Sequence, residues 1–146
     1  MTNLTNKKVQ LLHKYLSYKL MEAVFEVRNT YGSGQKESVY QNALAEILNF
    51  KSIPFEREVQ INILSEESGK KFGNYRLDFV VDGKICLETK AIKFTPVKIE
   101  QQLYGYLKST PFEVGYLVNF GSTRLYWKRI IFTNDRKVLF RKGKLQ

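Results

Sequence analysis

The spacing of apolar residues changes from helical to strand-like after the first fifty residues of this chain, and that change decides the fold class. From about Lys8 to Arg28, apolar side chains recur every three or four residues, which predicts an amphipathic helix. The same spacing predicts a second helix over roughly Lys36 to Phe50. From Phe55 onward, apolar and polar residues alternate one by one, which is typical of strands. A chain that passes from helical to strand spacing in this way favours a mixed α/β fold.

Five strands and a third helix complete the predicted order. The segment 112–120 is apolar almost throughout, as in a strand buried on both faces. Thr95 predicts the start of the third helix, as a hydroxyl N-cap followed by Pro96 at the first helical position, and this helix extends to about Lys108. Strands are predicted at 55–63, 75–81, 85–91, 112–120 and 125–132. The order α-α-β-β-β-α-β-β predicts a sheet with helices packed on it, and we expect one domain over residues 1–146.

Composition excludes several classes of protein. Hydrophobic residues make up 43% of the chain and charged residues 26%, an ordinary globular balance, and no apolar run is long enough for a membrane helix. The only cysteine, Cys86, cannot form an internal disulfide, and the only histidine, His13, cannot build a histidine-rich zinc site. The N-terminal segment has no apolar signal core, so we expect a cytoplasmic protein without a membrane partner.

Positive charge is concentrated in the second half of the chain. The net charge is +10, and residues 84–146 hold 13 basic side chains against 4 acidic ones. A basic half favours a polyanionic partner, of which nucleic acid is the commonest. Four aromatic residues are expected in the core or at its rim rather than as base-stacking platforms: Tyr15, Tyr18, Phe25 and Phe94. The predicted phosphate contacts are Lys93, Lys98, Lys128 and Arg129.

Three charged residues lie inside apolar strands, where an unpaired charge is costly. They are Asp78 in the second strand and Glu88 and Lys90 in the third. Glu88 and Lys90 are two residues apart and share a face, and the hairpin between the strands brings Asp78 close to Glu88. Two adjacent carboxylates repel each other, and a hard divalent cation such as Mg²⁺ or Mn²⁺ relieves that repulsion. A partly buried salt bridge from Lys90 to either carboxylate is the alternative interpretation.

The register of this hairpin decides whether the carboxylates can meet. A two-residue loop of Asp82 and Gly83 would set Asp78 opposite Leu87. Glu88 would then point to the other face of the sheet. A three-residue loop ending at Lys84, or a bulge in either strand, would set Asp78 opposite Glu88 instead. Because a metal site shared by both carboxylates needs Asp78 opposite Glu88, we predict one of these irregularities.

Four short motifs follow one another along the chain. They read GQKESVY at residues 34–40, GNYRLD at 73–78, ETK at 88–90 and QLYGY at 102–106. Together they resemble the PD-(D/E)xK nuclease superfamily and, within it, the small GxxExxY family of prokaryotic proteins. The resemblance implies a restriction-endonuclease-like core of order α-β-β-β-α-β, with a central mixed sheet flanked by helices.

The resemblance also implies roles for individual residues. Lys90 would be the catalytic lysine, which either orients or deprotonates the attacking water or neutralises charge on the phosphate. Gln102 and Tyr106 would form a Q-x-x-x-Y element that supports the site and contacts the substrate backbone. The implied metal ligands are Glu37, Asp78, Glu88 and the backbone carbonyl of Thr89. The implied catalytic residues are Glu37, Asp78, Glu88, Lys90, Gln102 and Tyr106.

The implied activity is metal-dependent hydrolysis of DNA phosphodiester bonds, with Mg²⁺ or Mn²⁺ as cofactor and little sequence specificity. One alternative is a structure-specific endonuclease similar to Holliday-junction resolvases, which would act as a homodimer. Another is a non-catalytic nucleic-acid-binding module on the same fold. A third is an interaction protein in which the charged cluster is only a salt bridge.

Overall fold

The computed structural model describes residues 12–143 and 145, and its elements follow the predicted order. The helices are α1 (Lys14–Tyr31), α2 (Glu37–Phe50), α3 (Val97–Lys108) and the short α4 (Val138–Arg141), with a 3₁₀ turn at Asn134–Arg136. The strands are β1 (Phe55–Leu64), β2 (Lys71–Val81), β3 (Ile85–Lys90), β4 (Val114–Asn119) and β5 (Tyr126–Ile131). The first helix was predicted from Lys8, and residues 8–11 lie outside the described part of the chain.

The strands form one mixed sheet, as predicted. Their spatial order is β1-β2-β3-β4-β5, and every neighbouring pair is antiparallel except β3 and β4, which are parallel. A parallel pair needs a crossover connection, and α3 provides it. All six residues of β4 are buried, which confirms the strand predicted to be buried on both faces. None of the helices in the described residues is long and apolar enough to cross a membrane.

The sheet separates two apolar cores. One core packs Leu20 and Val24 of α1 and Leu44 of α2 against Phe79 and Leu87 of the sheet. The other core packs α3 on the opposite face, where its members include Leu77, Val80, Leu103, Leu107 and Leu117. Each face of the sheet is therefore covered by helices, and a polar group at the centre of β2 or β3 is shielded from solvent on both sides.

The hairpin between β2 and β3 has a three-residue loop, which is one of the predicted irregularities. Val81 pairs with Ile85, so that Asp82, Gly83 and Lys84 form the loop. Asp82 and Gly83 both have positive φ angles, of 51° and 61°, which aspartate and glycine tolerate better than most residues. The pairing continues to Phe79 and Leu87, so the next two residues to face each other are Asp78 and Glu88. The register prediction is confirmed.

A second irregularity lies in β2 at Asp78 itself. Leu77 belongs to the core beneath α3, but Phe79 belongs to the core beneath α1 and α2. Residues two apart in a regular strand share a face, so β2 must change face at Asp78. On the neighbouring strand β1, Glu58 has a positive φ of 54° and does not pair with Asp78. The sheet is therefore distorted where the central acidic residue lies.

Two local predictions were wrong. Thr95 is not the N-cap of α3, which is Pro96, because the Thr95 hydroxyl accepts a hydrogen bond from the amide of Asn119 (2.8 Å). The aromatic side chains predicted to pack in the core or at its rim are exposed instead: Tyr15, Tyr18, Phe25 and Phe94.

Replacing Gly121 should test the close packing after β4. A Cβ at Gly121 would lie 2.5 Å from the carbonyl carbon of Ala91 and from the backbone nitrogen of Ile92. We expect Gly121→Ala to lower the free energy of unfolding by about 1–3 kcal/mol, because the backbone must shift. Gly105→Ala is the matched control, since a Cβ there meets nothing within 4 Å, and a helical alanine should stabilise α3 by up to about 1 kcal/mol. Urea unfolding measures both, and unchanged stability of Gly121→Ala would contradict the packing.

Candidate active site

The strands β2 and β3 separate at Asp78 and Glu88, and the two carboxylates occupy the gap. Regular pairing ends with Phe79 and Leu87. One step further, the Asp78 backbone N–H donates to Glu88 Oε1 (3.1 Å), and the Thr89 N–H donates to Asp78 Oδ2 (2.8 Å). Side-chain oxygens thus accept the bonds that main-chain carbonyls would accept in a regular ladder. Asp78 and Glu88 are brought together, each fixed by the other strand's backbone.

Glu37 approaches this pair from the first turn of α2. The Thr89 hydroxyl lies 3.3 Å from Glu37 Oε1 and 3.1 Å from Asp78 Oδ2, so it can donate to either carboxylate. The side chain of Gln41, one turn after Glu37, donates to the Thr89 hydroxyl at 2.8 Å. Burial and then the nearby Asp78 charge raise the pKa of Glu37, and Lys90 opposes this shift. Thr89 and Gln41 therefore connect the helix-borne carboxylate to the strand-borne one.

Tyr40, the tyrosine of the GxxExxY motif, fixes the loop that precedes Glu37. Its hydroxyl donates to the Gly32 carbonyl at 2.6 Å and accepts from the Gln35 N–H at 3.2 Å. Its ring stacks on Phe120 with centroids 4.7 Å apart. The spacing between the motif's glutamate and tyrosine thus places the acid at the start of α2 and the anchor one turn later.

Glu88 is the most buried of the acidic residues, with 2% of its surface exposed. The Tyr75 hydroxyl donates to Glu88 Oε2 at 2.6 Å, and the Tyr75 ring stacks on Tyr106 with centroids 3.8 Å apart. Burial, followed by repulsion from Asp78, raises the pKa of Glu88 to about 7, although the hydrogen bond from Tyr75 opposes the shift. Tyr106 therefore supports Glu88 indirectly, through Tyr75.

Lys90, the last residue of β3, is half-buried and close to the carboxylates without pairing with one. No ion pair within 4.0 Å joins it to an acidic group among the residues that the structure describes. Its charge nevertheless opposes the upward shifts of the pKa values of Glu37 and Glu88. The salt-bridge interpretation of the charged strand residues is therefore not what the structure shows.

Asn119, which the sequence analysis missed, anchors the chain that follows Lys90. It pairs with Lys90 across β3 and β4 and is fully buried. Its Oδ1 accepts from the backbone N–H groups of Ile92 (3.1 Å) and Gly121 (3.0 Å), and its amide donates to the Thr95 hydroxyl. A polar residue at the end of an apolar strand was the signal that could have identified it.

The remaining candidates are not gathered at this site by any direct contact. Gln102 is exposed on α3, and its side chain forms no hydrogen bond with another described residue. Arg129 donates to the Leu12 carbonyl and faces α1, so its guanidinium is engaged within the fold. Lys128, which precedes Arg129 on β5, points to the opposite face of the sheet. The lysines predicted to contact phosphate are all exposed: Lys93, Lys98 and Lys128.

The carboxylates do not form a ready-made metal cluster. Within the described residues, no three His, Cys, Asp or Glu side chains are grouped to hold an ion. The predicted convergence of three carboxylates on one point is therefore absent, because both Glu88 oxygens accept hydrogen bonds from Tyr75 and Asp78, whereas Glu37 and Asp78 share Thr89. The donor set nevertheless fits a hard divalent cation, since it consists of oxygens on mutually repelling, partly desolvated carboxylates.

The buried Glu88 carboxyl should make stability depend on pH. Its pKa rises from 4.5 to about 7 on folding, so between these values the folded state holds a proton that the unfolded state has released. The contribution of the Glu88 carboxyl to the free energy of unfolding is therefore fully present below pH 4.5, and it is lost as the pH rises toward and through 7. Glu88→Gln lacks this loss, so in EDTA its stability relative to the wild type should increase by about 1–3 kcal/mol between pH 5 and pH 8.

Urea unfolding at several pH values measures this difference. Glu56→Gln, at an exposed position of β1, is the control and should follow the wild-type pH dependence. Parallel pH curves for the wild type and Glu88→Gln would contradict the raised pKa.

Comparisons with known proteins identify the family of this chain. Residues 14–130 match the family model described as the PD-(D/E)XK nuclease superfamily. The chain also aligns with the crystal structure of SSO0001, at 17% identity and a TM-score of 0.45, over 88% of this chain and 84% of that one. A comparison with curated proteins finds no match. Membership of the narrower GxxExxY family stays a prediction, but the match over most of the sequence shows that this chain belongs to the PD-(D/E)XK nuclease superfamily.

Proposed function

We propose that this protein is a metal-dependent nuclease that hydrolyses DNA phosphodiester bonds with little sequence specificity. The observation that carries the proposal is the buried Glu88 beside Asp78, with an unpaired Lys90 at the end of the same strand. Two adjacent carboxylates beside an unpaired ammonium group are costly to fold. Such an arrangement is expected where a cation and a phosphate are to be bound.

The proposed ligands for Mg²⁺ or Mn²⁺ are Glu37, Asp78, Glu88 and the Thr89 carbonyl. A bound cation would supply an activated water and stabilise the negative charge that develops on the phosphate. The protein's own contribution is to hold the carboxylates close despite their repulsion. Hydrogen bonds from Tyr75, Thr89 and the Asp78 N–H provide this restraint.

We propose that Lys90 stabilises charge on the phosphate. Its ammonium is not consumed by an ion pair among the described residues. The backbone that carries it is fixed, because the Phe120 N–H donates to the Lys90 carbonyl at 2.8 Å. An ammonium held beside the carboxylates can contact a phosphate oxygen without first breaking a salt bridge.

DNA is proposed as the substrate on the basis of charge. The net charge of +10 and the exposed Lys93 and Lys98, close in sequence to Lys90, favour a phosphate backbone.

Cleavage should require the acidic residues and the charge of Lys90. Fluorescently labelled linear DNA should be cut with Mg²⁺ but not with EDTA, and Asp78→Asn and Lys90→Ala should each slow cleavage by at least about 100-fold. Lys90→Arg should keep measurable activity, since it retains the charge. Asp82→Asn, the same chemical change at the hairpin loop, is the matched control and should cut normally. Cleavage by Asp78→Asn at the wild-type rate would refute the proposed site.

Binding should be electrostatic and independent of sequence. In the inactive Asp78→Asn protein with EDTA, replacing Lys93 or Lys98 by alanine should each flatten the slope of log K against log salt by about 0.9 for duplex DNA. Lys70→Ala, in the turn before β2, is the control and should leave the slope unchanged. Fluorescence anisotropy at several salt concentrations gives the slopes. Slopes that do not change for Lys93 and Lys98 would contradict the predicted phosphate contacts.

A further inference from the structure

Residues 92–98, which join β3 to the first turn of α3, expose apolar side chains directly after Lys90. Phe94 is 77% exposed, Val97 is 68% exposed and Ile92 is 39% exposed. Large apolar side chains grouped on a surface generally mark a place of contact with another molecule. This group follows Lys90 closely in the chain, so the molecule in contact is expected to be the substrate of the proposed active site.

The segment is held in place at both ends. Asn119 accepts a hydrogen bond from the Ile92 N–H at 3.1 Å and donates one to the Thr95 hydroxyl at 2.8 Å. Phe94 lies between these two anchors and four residues from Lys90, so their Cα atoms are at most about 14 Å apart. A ring presented on a restrained segment loses little conformational entropy when it binds a ligand.

The positive charge of the residues around Phe94 favours a polyanionic partner. The segment contains Lys93 and Lys98, and no acidic residue lies between Glu88 and Glu100. The Lys93 ammonium is 5.6 Å from the centroid of the Phe94 ring. A partner that offers both phosphates and flat apolar surfaces is a nucleic acid strand whose bases are free to stack on a protein ring. In a duplex the bases stack on one another, so the strand must be unpaired at this point.

We propose that Phe94 stacks on an unpaired base next to the scissile phosphate, so that the preferred substrate contains single-stranded DNA. This inference rests on the proposed nuclease function and specifies the substrate of the same site. A ring that wedged between the base pairs of a duplex would instead favour double-stranded DNA.

Binding by the inactive Asp78→Asn protein in EDTA tests the proposal. Fluorescence anisotropy would compare a labelled oligothymidine with a duplex of equal length. Adding Phe94→Ala should weaken single-strand binding by about tenfold and duplex binding by less than about twofold. Phe94→Trp should bind the single strand as tightly as the parent, whereas Phe94→Leu, which is apolar but not aromatic, should resemble Phe94→Ala.

The matched control is Phe72→Ala, which removes an equally exposed ring (73%) near the start of β2 and should change neither affinity. Several results would overturn the proposal: no single-strand binding by the parent, no loss with Phe94→Ala, an equal or larger loss on the duplex, or normal binding by Phe94→Leu. These results leave the nuclease assignment intact if wild-type protein cuts DNA with Mg²⁺ and Asp78→Asn does not. The nuclease assignment fails separately if Asp78→Asn cuts as well as the wild type.

Discussion

The burial of the Glu88 carboxylate beside Asp78 is the constraint on which the arrangement of this site depends. A carboxylate with 2% exposure loses most of its hydration, and a second carboxylate nearby adds repulsion. The compensating contacts come from Tyr75 and from the Asp78 N–H, which become available only because β2 and β3 separate there. The fold thus carries a local cost in stability at the proposed catalytic site.

The site draws on both faces of the sheet at the position where β2 changes face. Tyr75 lies on the side of α3, where it stacks on Tyr106 and holds Glu88. Asp78 bonds to Thr89, which reaches Glu37 on the side of α2.

The sequence was sufficient for the element order, and it limited the hairpin to a three-residue loop or a bulge. Apolar spacing is a local property, and the positive φ angles that Asp82 and Gly83 tolerate define the loop. The support of the site was not predictable in the same way. Gln41 and Tyr75 acquire their roles only through contacts with Thr89 and Glu88, which are 48 and 13 residues away in the chain. The exposure of Phe94 was also missed, because apolar composition alone does not tell a core residue from one on a restrained surface segment.

The central claim is that these carboxylates bind the catalytic cation, and anomalous diffraction from crystals soaked in Mn²⁺ tests it most directly. We expect a manganese peak in contact with the carboxylates of Asp78 and Glu88 in the wild type and no such peak in crystals of Asp78→Asn. A saturating soak that leaves this position empty in the wild type, or that places manganese only at other residues, would contradict it.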